Sequence, residues 1–340
     1  MSRPPLPTRR TLLATVPAAL AATSLATSAS AAAPIVGGGL AFVMNSAAAN
    51  IGVIDMARER EIARLPVFRQ PHHWALAPDG RTLLVGDAAG NGLFFLDPAR
   101  GTMLGHRPFP DPYQLWFSPD GRFLVTAALR LNRVYVWQPG TLRLLKRFDI
   151  ASMPSHIAFA PDSSMVYLSL QGTDRLAAID LGALALRWVA PVGPAPAGVM
   201  WHRGQLLVGI MGSDYVSVVD PADGRVRERL PAGKGAHALF LDPEERRIYV
   251  GNRIAGTITA YDAASLARVR TYDRPGGADC MGFAPDGRIW MTLRWAAHVA
   301  ILDPASGRST TFPVGRSPHG LFLSNSPTLA SRQGQMLNSA

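Results

Sequence analysis

Short apolar runs closed by an aspartate or its equivalent recur along the whole chain. "IGVID" ends at Asp55, "LFFLD" at Asp97, "VYVWQ" at Gln138, "LAAID" at Asp180, "VSVVD" at Asp220, "ITAYD" at Asp262 and "VAILD" at Asp303, with spacings of 42, 41, 42, 40, 42 and 41 residues. Upstream of most of them stands a second pattern, seen in "WALAPDGRTLLVG", "LWFSPDGRFLVTA", "IAFAPDSSMVYLS", "LFLDPEERRIYVG" and "MGFAPDGRIWMTL". There an apolar strand meets a Pro-Asp-Gly type turn and a second apolar strand follows. Proline pre-sets the backbone angle of such a turn and glycine accepts positive φ, so the pattern predicts a hairpin. The copy "VMWHRGQLLVG" lacks the proline and aspartate but keeps Gly204. With a polar outer strand such as "RVRERL", each unit reads as four strands, and a period of roughly 40–45 residues with several strands per unit marks a propeller blade.

The ends of the array predict how it closes. Residues 40–55, "LAFVMNSAAANIGVID", supply a second and third strand without a first, and "HGLFL" (319–323) supplies a first strand with nothing after it. Paired, they complete one blade and remove the sheet edges that an open array would expose. The expected fold is all-β, a seven-bladed β-propeller of four-stranded blades closed by pairing of N- and C-terminal segments. It covers residues 35–325 as one domain, followed by a loose polar tail, 326–340.

Composition agrees with this. Hydrophobic residues make up 48% of the 340 and charged residues 17%, and the 32 glycines and 28 prolines suit many short strands joined by turns. Cys280 is the single cysteine, which excludes an intrachain disulfide. Residues 1–31 read as an address rather than as part of the fold. "TRRTLLAT" carries twin arginines, an Ala/Leu/Val stretch follows, and "SASAAAP" offers a small-residue cleavage site after Ala31. The apolar run is too short and too interrupted for a membrane span of about 20 residues. The expectation is a periplasmic or secreted protein, exported already folded by the twin-arginine route and without a membrane span after cleavage. The formal charge of +10 includes Arg3, Arg9 and Arg10, so cleavage, which removes no acidic residue, leaves +7. A moderately basic domain draws anionic partners by long-range steering, although Arg- and Ala-rich usage throughout the chain accounts for the charge equally well.

"YVGNRIAGTITAYD" (Tyr249 to Asp262) and "LVGIMGSDYVSVVD" (Leu207 to Asp220) resemble the YVTN repeat of exported seven-bladed propellers of the YncE type. The resemblance covers nearly the whole mature chain and implies architecture rather than chemistry. Similar propellers include surface-layer proteins, lactonase-like proteins and the haem-binding domain of cytochrome-type nitrite reductases. No catalytic motif of any of these carries over to this sequence residue by residue.

The candidate chemistry lies where the repeat leaves residues unconstrained. Aligned on the turns, the position just before each innermost strand reads His72, Tyr113, Ser155, Ala197, His237, Asp279 and His319, and the next reads His73, Gln114, His156, Gly198, Ala238, Cys280 and Gly320. Five of the eight histidines fall in these two columns, at the expected rim of the central channel. His72, His237, Asp279 and His319 form a candidate metal group, since imidazole with a carboxylate suits Zn, Fe or Cu; a divalent metal or haem is the cofactor such a group would take. Loops between second and third strands open on the same face and carry Arg130, Arg133, Arg175, Arg253 and Arg294, with Trp295 and His298 beside the last. Arginine with histidine favours a carboxylate or phosphate. Candidate ligand-binding residues are therefore His72, His73, Tyr113, His156, His237, Asp279, His319, Arg130, Arg253 and Arg294.

Three functions compete. The first is a monomeric exported binding protein whose top-face funnel takes a small anionic ligand or a protein partner. The second is a metal- or cofactor-dependent enzyme, lactonase- or lyase-like or an oxidoreductase, built on the same group. The third is an interaction scaffold alone. Nucleic acid is disfavoured, because Trp74, Trp116 and Trp201 fall within inner strands and no Lys/Arg cluster accompanies them. The chain shows no P-loop, no HExxH and no GxSxG elbow.

Overall fold

The computed structural model describes residues 38–150 and 152–327. The expected leader and nearly all of the expected tail lie outside them. The described residues form 28 strands in seven four-stranded antiparallel sheets. Blade 1 runs outward from its innermost strand, Pro71–Leu76, through Leu83–Asp87 and Gly92–Asp97 to Thr102–Pro108. The innermost strands of blades 2 to 6 are Gln114–Phe117, Pro154–Phe159, Pro196–His202, Ala236–Leu241 and Ala278–Phe283. Blade 7 takes its innermost strand, Pro318–Leu323, from the end of the chain and the other three, Leu40–Asn45, Asn50–Asp55 and Arg60–Pro66, from its beginning. The register pairs Phe42 with Phe322 and Ala41 with Leu323, which closes the ring as the sequence predicts. Closure is reinforced across blades by the Trp74 indole, which donates to the Leu321 carbonyl at 2.8 Å and packs edge-on to Phe322.

The burial gradient follows strand position. Second strands such as Leu83–Asp87 are buried throughout, because each is covered by the neighbouring blades on both faces. Outer strands such as Arg60–Pro66 are largely exposed and polar. This explains why inner strands read as apolar runs and outer ones do not.

The two repeated signals have local causes. In the Pro-Asp-Gly turns, Asp79, Asp120 and Asp286 each accept the backbone N–H two residues on, at 2.8–3.0 Å, while Gly80 takes φ of +67°. Where glycine is missing, Ser163 and Glu245 bear the left-handed conformation themselves, at +62° and +54°. The aspartate ending each third strand is likewise a turn residue. Asp97 Oδ1 accepts the N–H groups of Ala99 and Arg100, and Asp180, Asp220, Asp262 and Asp303 each accept at least one N–H of the turn that follows. These carboxylates are structural.

The start of the innermost strand is where the ladder breaks. In blades 1, 3, 4, 5 and 6 the register shifts between Pro71 and Trp74, Pro154 and Ile157, Pro196 and Val199, Ala236 and Leu239, and Ala278 and Met281. Each irregularity spans the two aligned positions. A bulge releases a strand from its two-residue alternation and re-aims side chains, so two consecutive residues per blade can serve the channel.

Candidate functional site

The starts of the seven innermost strands converge on the channel, and their side chains fill it. His72, His73, His156, His237, Asp279 and His319 are all 0–3% exposed. The sequence suggests a histidine-lined open rim; instead the inner strands bring these rings into mutual contact, and the mouth is plugged. His72 lies against His319, with centroids 3.8 Å apart, and against Tyr113 at 4.0 Å. His73 stands among His319, Tyr113 and His156, at 4.6, 5.8 and 5.4 Å. His156 continues the set to His237 at 4.9 Å. All six ring residues among the candidates thus form one group.

Asp279 organises its charge. Arg253 binds Oδ1 through Nε at 3.1 Å and also through Nη2. Arg294 Nη1 reaches Oδ2 at 3.3 Å, and His319 Nδ1 lies 2.5 Å from the same oxygen. His237 Nδ1 is 3.1 Å from Oδ1, without hydrogen-bond geometry. Burial alone would push the Asp279 carboxyl up, but the Arg253 guanidinium, with His319 and His237 beside it, holds it well below the usual range. Burial pushes all five histidines down, His237 to about 4, so the imidazoles are neutral near pH 7. His319 Nδ1 also faces Arg294 Nη1 at 2.6 Å and cannot serve a donor and an anion together. We assign its proton to the bond with Asp279, because a lone pair turned toward a buried carboxylate is the costlier arrangement. Nε2 then carries a lone pair that accepts the His73 Nε2–H at 3.1 Å.

Two guanidiniums, one carboxylate and neutral imidazoles leave a surplus positive charge at the mouth. Arg253 and Arg294 have side chains 13% and 20% exposed, so they are the lid of the group and its contact with solvent. Beside them, on the same loops, Ile254 and Trp295 are both 62% exposed. Ile254 is a candidate that the sequence reading missed, since a lone apolar loop residue carries no pattern. Arg130, in contrast, does not reach the group: it binds Asp111 at 3.1 Å and the Ala88 carbonyl, clamping blade 2 to blade 1. Arg133 is engaged with Asp149, and Arg175 is exposed. One type of residue in equivalent loops therefore serves two ends, and only tertiary position separates them. Cys280 is buried beside Asp279, and burial raises its thiol pKa, so it is protonated and a poor nucleophile.

The sequence pattern of the YncE-like β-propeller family matches residues 8–328. The chain belongs to that family. No curated protein matches it in sequence. Solved structures that share the fold include dihydro-heme d1 dehydrogenase NirN in complex with DHE, at 15% identity and TM-score 0.64, covering 84% of this chain and 75% of that one. Hydrazine synthase of Kuenenia stuttgartiensis matches at 19% identity and TM-score 0.63, covering 79% and 96%. A functionally unknown protein from Desulfotomaculum acetoxidans matches at 11% identity and TM-score 0.71, covering 84% and 98%. At these identities the likeness is one of fold alone. Among the described residues no helix of this YncE-like propeller is long and apolar enough to cross a membrane.

Proposed function

We propose that this YncE-like propeller is an exported binding protein that takes a small anionic ligand at its channel mouth. The observation that carries the reading is the imbalance at Asp279: two largely buried guanidiniums share one carboxylate above a bed of neutral histidines. In a site partly shielded from water, such surplus charge attracts a carboxylate or phosphate, and arginine offers it a planar fork of donors. Exposed Ile254 and Trp295 next to the arginines favour an anion with an apolar or aromatic body. The twin arginines at Arg9 and Arg10, with the expected cut after Ala31, support export of the folded domain. A catalytic reading has less support, because Cys280 is held as a protonated thiol and the aspartates of the repeat are occupied in turns.

Titration with benzoate and with inorganic phosphate, followed by Trp fluorescence and by calorimetry, tests this. Saturable binding is expected, stronger for the aromatic carboxylate, and weakened about 10- to 100-fold in Arg294→Ala, the loss of one charge-assisted hydrogen bond. Absence of saturable binding, or equal binding by Arg294→Ala and Arg253→Ala, overturns the reading.

A further inference from the structure

We propose that His72, His73 and His319 form a mononuclear site for a borderline first-row divalent cation, Zn²⁺ or Cu²⁺, inside the channel mouth. One ligand nitrogen from each lies within 4.8 Å of the others, and all three side chains are buried. The sequence pattern pointed instead to His72, His237, Asp279 and His319. The fold replaces His237 with His73, because the bulge at Pro71–Trp74 turns two consecutive histidines into the channel, while His237 lies 6.1 Å from His319, ring centre to ring centre.

Three independent observations converge. First, the Nε2 atoms of His73 and His319 are 3.1 Å apart. Two nitrogens bound to zinc at 2.0–2.1 Å with a tetrahedral angle lie about 3.3–3.4 Å apart, so little movement brings both onto one ion. Second, His319 already has the outer partner that a ligating histidine requires. Asp279 Oδ2 takes its Nδ1–H at 2.5 Å, which turns the Nε2 lone pair toward His73; carboxylate–histidine–metal triads are built this way. Third, His72 Nδ1 is buried with no hydrogen-bond partner, a donor atom that goes unused without an ion. Imidazole ligands suit zinc and copper among the divalent metals.

The close ring spacing, 3.8–4.7 Å between the three centroids, excludes a planar macrocycle. Three protein nitrogens leave a fourth position for water or an exogenous ligand. The site and the anion reading rest on different atoms, three imidazoles against two guanidiniums, and each can fail alone.

The test is titration of the metal-stripped protein with Cu²⁺ alone, read by electron paramagnetic resonance, and with Zn²⁺ in competition. One equivalent with hyperfine structure from three nitrogens is expected. Affinity falls at least 10-fold in His73→Ala and in His319→Ala, and about 10- to 100-fold in Asp279→Asn, while the exposed His106→Ala is unchanged. Absence of stoichiometric binding, a spectrum with fewer than three nitrogens, or undiminished affinity in both histidine variants overturns the proposal. Where a variant loses its native circular dichroism, the wild-type nitrogen count decides.

Discussion

Asp97 and Asp279 occupy opposite ends of their blades, and each meets arginine, yet they do different work. Asp97 closes a third strand. Its Oδ1 caps the backbone of the next turn, and its Oδ2 bonds Arg100 at 2.7 Å, a side chain 80% exposed. Asp279 opens a first strand. It caps no turn, is fully buried, and is bound by Arg253, Arg294 and His319 from three separate segments. The first carboxylate belongs to the repeat and recurs in other blades. The second occurs once. In a propeller, the residue that the repeat dictates holds the blade together, and the residue that departs from it is free for other chemistry.

The comparison breaks most visibly at Asp279. Asp279→Ala leaves two guanidiniums without their shared anion in a largely buried setting, and breaking such a pair costs about 3–5 kcal/mol. A fall of that size in unfolding free energy, measured by guanidinium denaturation, is expected; a near-neutral result would mean that water reaches the group and that it behaves like the surface.

Acidification should separate the two ends next. The buried histidines have pKa values below the 6.5 of an unfolded chain, so between pH 6.5 and about 4 the unfolded state binds more protons and stability falls with falling pH. The slope approaches about 1.4 kcal/mol per pH unit for each histidine kept neutral. Asp279, also depressed, adds to this only below the ordinary carboxylate range. Denaturation midpoints of metal-stripped protein at pH 7, 6 and 5 should decline steadily, and less steeply in His156→Phe. A flat profile would show that the imidazoles become charged in the native state.

The smallest effect is expected at the repeat. Asp97→Ala loses a local turn bond and an ion pair with an exposed partner, together about 1 kcal/mol or less, with no effect on Cu²⁺ or benzoate binding. A loss approaching that of Asp279→Ala would erase the distinction.

The architecture was readable because its causes are local and repeated. Proline and glycine in the turns, aspartate at the third-strand end and apolar runs between them recur about every 41 residues, and the incomplete units at the two ends predict the closing blade. The aligned columns also located the candidate group, since five histidines in two columns depart from what strand and turn physics require. What the columns could not show is which of those residues meet. Arg130 and Arg294 stand in equivalent loops, but a buried Asp111 captures the first and Asp279 the second. His237 and His73 look interchangeable as metal ligands until the bulge in blade 1 places His73 at 3.1 Å from His319.

The sequence by itself determined the strand period, the number of blades and the way the ring closes, because each follows from strand and turn patterns that recur along the chain. The tertiary structure alone decided that the histidine rim is a packed plug, that its charge is organised by one carboxylate, and that three imidazoles converge. Those contacts join residues from different blades, His73 and His319 being 246 positions apart. Their geometry depends on how seven strand starts, most of them bulged, crowd a narrow channel, a property of the closed ring and of no single repeat.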